Sequence, residues 1–156
     1  MYYLEYIYRR SQEGIYTSYL VGQQAEDSSN LVRIILLDNR YHSSPLTKKS
    51  KWYQTVPDDY DILGEEQWSW LEALLREDAA RVNKPRYTLI ASGVQIVADD
   101  KGFKHESWGQ YPHSKQRLYN LLRDTKTAGV LLLSGDIHLS EIVRLHVYLR
   151  QHNVSF

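Results

Sequence analysis

Apolar positions in this chain come in short runs separated by polar, glycine-marked and proline-marked stretches, and two periods can be read in them. Gly14 to Gly22 alternates Ile15, Thr17, Tyr19 and Val21 against Tyr16, Ser18 and Leu20, the pattern of a strand between two glycines. Leu31 to Leu37 is β-branched and apolar, interrupted at Arg33, and predicts a second strand. At Gly64 the period changes. In GEEQWSWLEALLRE the residues Trp68, Leu71, Leu74 and Leu75 recur at helical spacing, and Trp70 widens the stripe. Glu65 and Glu66 fall in the first turn of this helix and Arg76 in its last, on the ends that its dipole favours. Asn83, Lys84 and Pro85 end it, and Tyr87 to Ala91 predicts a third strand. Ser114 is placed to cap a helix through Asp124 with Leu118, Leu121 and Leu122 inward. Val130 to Ser134 is nearly continuous in apolar residues, as expected of a central parallel strand covered on both faces. Ile142 to Leu149 reads as one more strand.

Strand, helix, strand, helix, strand from Leu31 to Ser134 is a βαβαβ pattern, the signature of an α/β fold. Its right-handed crossovers make the strands parallel and bring all their carboxyl ends to one rim. That rim is where open α/β sheets place their chemistry. It gathers Asp38, Arg40 and His42 after the second strand, Gly93 and Gln95 after the third, and Asp136 and His138 after the last. Asp136 and His138 are two apart, so in extended chain they face the same way, and one carboxylate with one imidazole could grip a metal ion. The plainer alternative is that they cap a helix or close a turn. For Asp38 and Arg40 the plainer alternative is an ion pair pinning the loop. Ser92 lacks the preceding glycine of a nucleophile elbow, and Gly93 suits a close backbone approach.

Length and composition narrow the field. The 156 residues make one ordinary domain, and 19 basic against 19 acidic residues leave no net charge with which to gather polyanions, so nucleic acid is not an expected partner. Cysteine is absent, which excludes disulfides, thiolate metal sites and a thiol nucleophile. No run of 18 apolar residues occurs, and the start MYYLEYIYRR has no signal-peptide pattern, so localisation stays open. Two long loops remain. Ser43 to Asp61 carries Lys48, Lys49 and Lys51, read as a solvated face. Ala98 to Pro112 carries Asp99, Asp100, His105 and Glu106, read as a solvated turn anchored by a buried Trp108, with metal binding by the acidic pair and the histidine as the alternative. His146 and His152, six apart, share no face.

Six blocks come in an order that resembles the carboxyl-terminal half of the alkaline phosphatase D family, the PhoD-like metallophosphatases. They are GIYTSYLVG, RIILLDNRYH, ILGEEQWSWLEALL, LIASGVQ, ESWGQYPHSKQRLYNLL and VLLLSGDIHLSE, spread over about Gly14 to Glu141. The resemblance implies part of a calcineurin-like sandwich of two sheets flanked by helices, and metal-dependent hydrolysis of phosphate monoesters or diesters. Iron, calcium or other divalent cations would be the cofactors and a small phosphoester the substrate. It implies that Asp136 and His138 are metal ligands, with no further catalytic residue assigned, and that Asp38 and Arg40 are structural or rim positions; Gln95, by its place after the third strand, joins them as a rim or substrate candidate. Family blocks of the type Gly-Asp, Asp-His-Asp and Asn-Asp, which lie in an amino-terminal half, are absent here. The expectation is therefore a single domain, 1–156, that carries only part of the active site and whose partner is that missing half. Family members are often exported. The alternatives are a catalytically inactive fragment and an α/β binding or regulatory module. One sheet of a sandwich without its partner should also expose an apolar face.

Overall fold

Parallel pairing of three strands sets the frame of the protein. The computed structural model describes residues 12–22, 30–46, 57, 59–97, 106–136, 138 and 140–144. Strands β1 (Thr17–Val21), β2 (Val32–Leu36), β3 (Tyr87–Ser92) and β4 (Val130–Ser134) form one sheet in the order β1-β2-β3-β4. β1 runs antiparallel to β2, while β2, β3 and β4 are parallel, with Ile35 opposite Ile90 and Ile90 opposite Leu132. Helix α1 (Glu65–Ala80) connects β2 to β3, and α2 (Pro112–Asp124) connects β3 to β4.

Both crossovers step the same way across the sheet, so the right-handed rule lays both helices on the same face. Burial agrees. On the helix side Arg33, Ile35, Thr88, Ile90 and Ser92 are buried, whereas Leu36, Tyr87, Leu131 and Leu133 on the other side are exposed. One core fills the space under the helices. Ile35, Leu37, Ile90 and Ile96 meet Trp68, Leu71 and Leu75 of α1 and Leu118 and Leu121 of α2. Trp68 and Trp108 pack edge to face, ring centroids 6.3 Å apart, and both are fully buried, so the tryptophan anchor expected in the second long loop is in place.

The structure corrects four expectations. β4 is an edge strand of the described sheet and is not covered on both faces: Leu131 is 52% and Leu133 48% exposed, because no described element packs on that side. A continuous apolar run thus marks a strand whose outer face lacks a cover among the described residues. Helix α1 continues four residues past Arg76 to Ala80, so Arg76 does not sit in its last turn. Ser114 does not cap α2, which starts at Pro112 as the ring's fixed φ favours. Its hydroxyl instead donates to Asp61 Oδ1 at 2.5 Å. Ile142 to Arg144 is irregular, and the remainder of that expected strand lies outside the described residues.

Candidate functional site

The carboxyl rim of the sheet is knit together by side chains that leave β2. Asp38 is buried, and its carboxylate accepts from the backbone N–H groups of Ile15 (2.8 Å), Arg40 (2.8 Å) and Tyr41 (3.0 Å). Burial alone would push this carboxyl up, but the three backbone donors outweigh it and hold it below its ordinary range. Gln67 of α1 clasps the same residue, accepting from the Asp38 N–H at 2.9 Å and donating to the Asp38 carbonyl at 2.8 Å. The expected ion pair between Asp38 and Arg40 does not form. Arg40 reaches Glu106 at 2.5 Å, and its link to Asp38 is its own backbone N–H, because the chain turns at this point and does not stay extended. The extended-chain argument for His42 on one face with Asp38 and Arg40 therefore does not hold. It lies half-buried with Nε2 3.5 Å from the Glu13 carboxylate.

Behind the rim a second carboxylate joins the two helices. Asp61 accepts from the Gly64 N–H (2.7 Å), the Trp68 indole N–H (2.9 Å to each oxygen) and the Ser114 hydroxyl. Burial would raise it, yet these donors keep it below the usual carboxylate range. Tyr111 donates its hydroxyl to the Ser44 carbonyl at 2.7 Å, and burial together with the nearby Glu106 charge pushes its phenol up to about 12. It stays a donor at neutral pH.

Gln95 is buried at the rim, where it forms an isolated parallel bridge with Ser107, and its carbonyl accepts from the Trp108 N–H at 2.8 Å. The close approach expected to need glycine at Gly93 is not found there, since a Cβ on Gly93 would meet only Asn39 Oδ1 at 3.8 Å; the tight position is Gly135. A Cβ on Gly135 would lie 3.2 Å from the Gly93 carbonyl, and the Gly135 N–H donates to Ser92 O at 3.2 Å.

Asp136 and His138 follow. They are not in extended chain: Asp136 has φ 84° and His138 φ 55°, left-handed backbone that residues with a side chain seldom adopt. The two-apart argument for a shared direction does not hold, and what they have in common is position past the rim and exposure. Neither makes a hydrogen bond or ion pair with the described residues. Carboxylate and imidazole are donor types that divalent ions accept, so their chemistry fits a metal. Their number does not complete a site, since among the described residues no group of three or more metal-type side chains comes together. Lys48, Lys49, Lys51, Asp99, Asp100, His105, His146 and His152 lie outside the described residues.

Sequence reading passed over Asn39, Asp61, Gln67 and Asp78. For two of them a signal existed: Gln67 and Asp78 fall on the buried stripe of α1 with Leu71 and Leu75, at spacings of four, four and three. Polar residues on such a stripe must find partners inside the fold.

Comparison with known proteins adds three findings. A sequence model of the PhoD-like phosphatase family matches residues 4–155. Alkaline phosphatase D of Bacillus subtilis (strain 168) is 28% identical over 92 residues, which is 55% of this chain and 15% of the relative. A solved chain described as the structure of PhoD superimposes with a TM-score of 0.56 at 18% identity, covering 79% of this chain and 23% of the other. The chain thus spans less than a quarter of either protein's length.

Proposed function

Because the chain belongs to the PhoD-like phosphatase family, we propose that it supplies one part of a metal-dependent site for phosphoester hydrolysis, with Asp136 and His138 as metal ligands. One observation carries the reading. Both residues leave the sheet's carboxyl rim on left-handed backbone, exposed and without a partner among the described residues, and such sparsely populated conformations cluster at ligand sites. The two are proposed to act with ligands from elsewhere in a larger assembly, within the second layer of a calcineurin-like sandwich.

When bound, the ion would supply an activated water and neutralise charge on the phosphoryl oxygens. The chain's own residues have separable tasks. Asp136 and His138 bind, one through a carboxylate oxygen and the other through an imidazole nitrogen. Arg40, largely exposed on the rim beside Glu106, is the cation placed to meet an anionic substrate. Asp38 and Gln95 hold the rim's backbone in shape, and their proposed role is support.

A titration of the chain with Mn2+, followed through the ring protons of His42, His113 and His138, tests the ligand roles. Selective broadening of His138, lost in Asp136→Ala, is the expected result. Equal broadening at all three rings, or none at His138, contradicts the reading. A second reading, a family member that binds without hydrolysing, is favoured by the incomplete ligand set among the described residues.

A further inference from the structure

One side chain ties the ends of two parallel strands together without taking part in the proposed chemistry. Asn39 is 4% exposed, and its Oδ1 accepts from the Gly93 N–H at 2.9 Å and lies 2.9 Å from Ser92 Oγ, whose single proton is shared with the Val94 carbonyl at 2.7 Å. The Gly93 N–H fixes the amide's orientation, since a flip would set Nδ2 against another donor. Nδ2 itself is buried with no hydrogen-bond partner among the described residues. What Asn39 contributes is an acceptor. The Ser92 hydroxyl, also reached by the Trp108 indole N–H at 3.1 Å, belongs to the same buried group.

From that group the path to β4 is short and made of backbone. Ser92 O accepts from the Gly135 N–H, and Gly135 rests on the Gly93 carbonyl, which a Cβ at Gly135 would meet at a tight 3.2 Å. Ser134 Oγ accepts from the Ile96 N–H at 3.2 Å, a second tie between the turn after β3 and the end of β4. Asp136 comes next in the chain.

We infer that Asn39 is a positioning residue: by holding the Ser92–Gly93 turn it sets the seat of Gly135 and with it the placement of Asp136. The inference rests on the reading of Asp136 as a ligand, and the test separates the two. Amide exchange and Mn2+ broadening are measured on the full chain and on Asn39→Leu and Asn39→Asp. In Asn39→Leu the Gly135 N–H should exchange about tenfold faster relative to Ile35, the effect of one lost hydrogen bond, and Mn2+ broadening at His138 should weaken. Asn39→Asp keeps the acceptor and should restore both. Unchanged Gly135 exchange in a folded Asn39→Leu overturns the inference. Absence of Mn2+ broadening at His138 in the unaltered chain defeats the ligand reading alone, and the Gly135 exchange still decides the positioning role. If Asn39→Leu does not fold, Asn39→Ser, smaller and polar, is measured with the same two outcomes.

Discussion

Arg33 and Asp78 meet fork to fork inside the protein, Nε to Oδ2 at 2.7 Å and Nη2 to Oδ1 at 2.6 Å, with side chains 7% and 9% exposed. The pair fastens the end of α1 to the middle strand β2. Removing one partner leaves an unpaired charge in the interior, so Asp78→Ala should destabilise the chain by about 3–5 kcal/mol in urea unfolding. The double change Arg33→Met with Asp78→Leu should recover most of that loss, because the desolvation cost disappears with the charges.

Acid should weaken the fold through Asp38 and Asp61. Both carboxyls lie below their ordinary range in the folded chain, so below neutrality the unfolded chain takes up protons first. Their stabilisation is complete above the unfolded value of about 3.9 and fades as pH falls through the lower folded values. Urea midpoints measured between pH 7 and pH 3 should decline toward acid. Asp61→Asn should be less stable at pH 7 and show a shallower decline.

Gly129 enters β4 with φ 56°, and a Cβ there would lie 2.2 Å from the Arg86 carbonyl. Backbone cannot yield as a side chain does. Gly129→Ala should cost about 2 kcal/mol or more and loosen the pairing of Thr88 with Val130, seen as faster exchange of the Thr88 N–H, which donates to Gly129 O at 3.2 Å.

The open face of the sheet should make the chain associate. Tyr19, Val21, Leu36, Tyr87, Leu131 and Leu133 are exposed on it among the described residues, and contiguous apolar patches of this kind mark association surfaces. Leu131→Lys with Leu133→Lys should lower light scattering and dye binding at a given concentration while leaving the urea midpoint nearly unchanged. An unaltered chain that is monomeric and binds no dye would count against this.

How far the sequence discloses all this depends on the kind of interaction. Periodicity places the two α-helices and four strands of the described residues because burial of apolar faces is encoded locally, as in Trp68, Leu71 and Leu75. Coverage is not local. Val130 to Ser134 reads as a doubly covered strand because its residues are apolar on both sides, but whether a face is covered depends on what packs there. Polar partners are also invisible: nothing in the order of residues pairs Arg33 with Asp78, or Asn39 with Gly93, across 45 and 54 positions. At the candidate site the sequence marks Asp136 and His138 by type and place after a strand. It does not disclose their left-handed backbone.

The most direct test of the central claim is phosphoester hydrolysis by a chimera in which this chain's matching segment replaces that of the Bacillus subtilis relative, assayed with p-nitrophenyl phosphate and its diester, with and without chelator. Metal-dependent turnover that falls at least about a hundredfold in Asp136→Ala and His138→Ala, in the range expected for lost stabilisation of developing charge, is the predicted result. A folded chimera that keeps full activity in both variants would contradict the assignment.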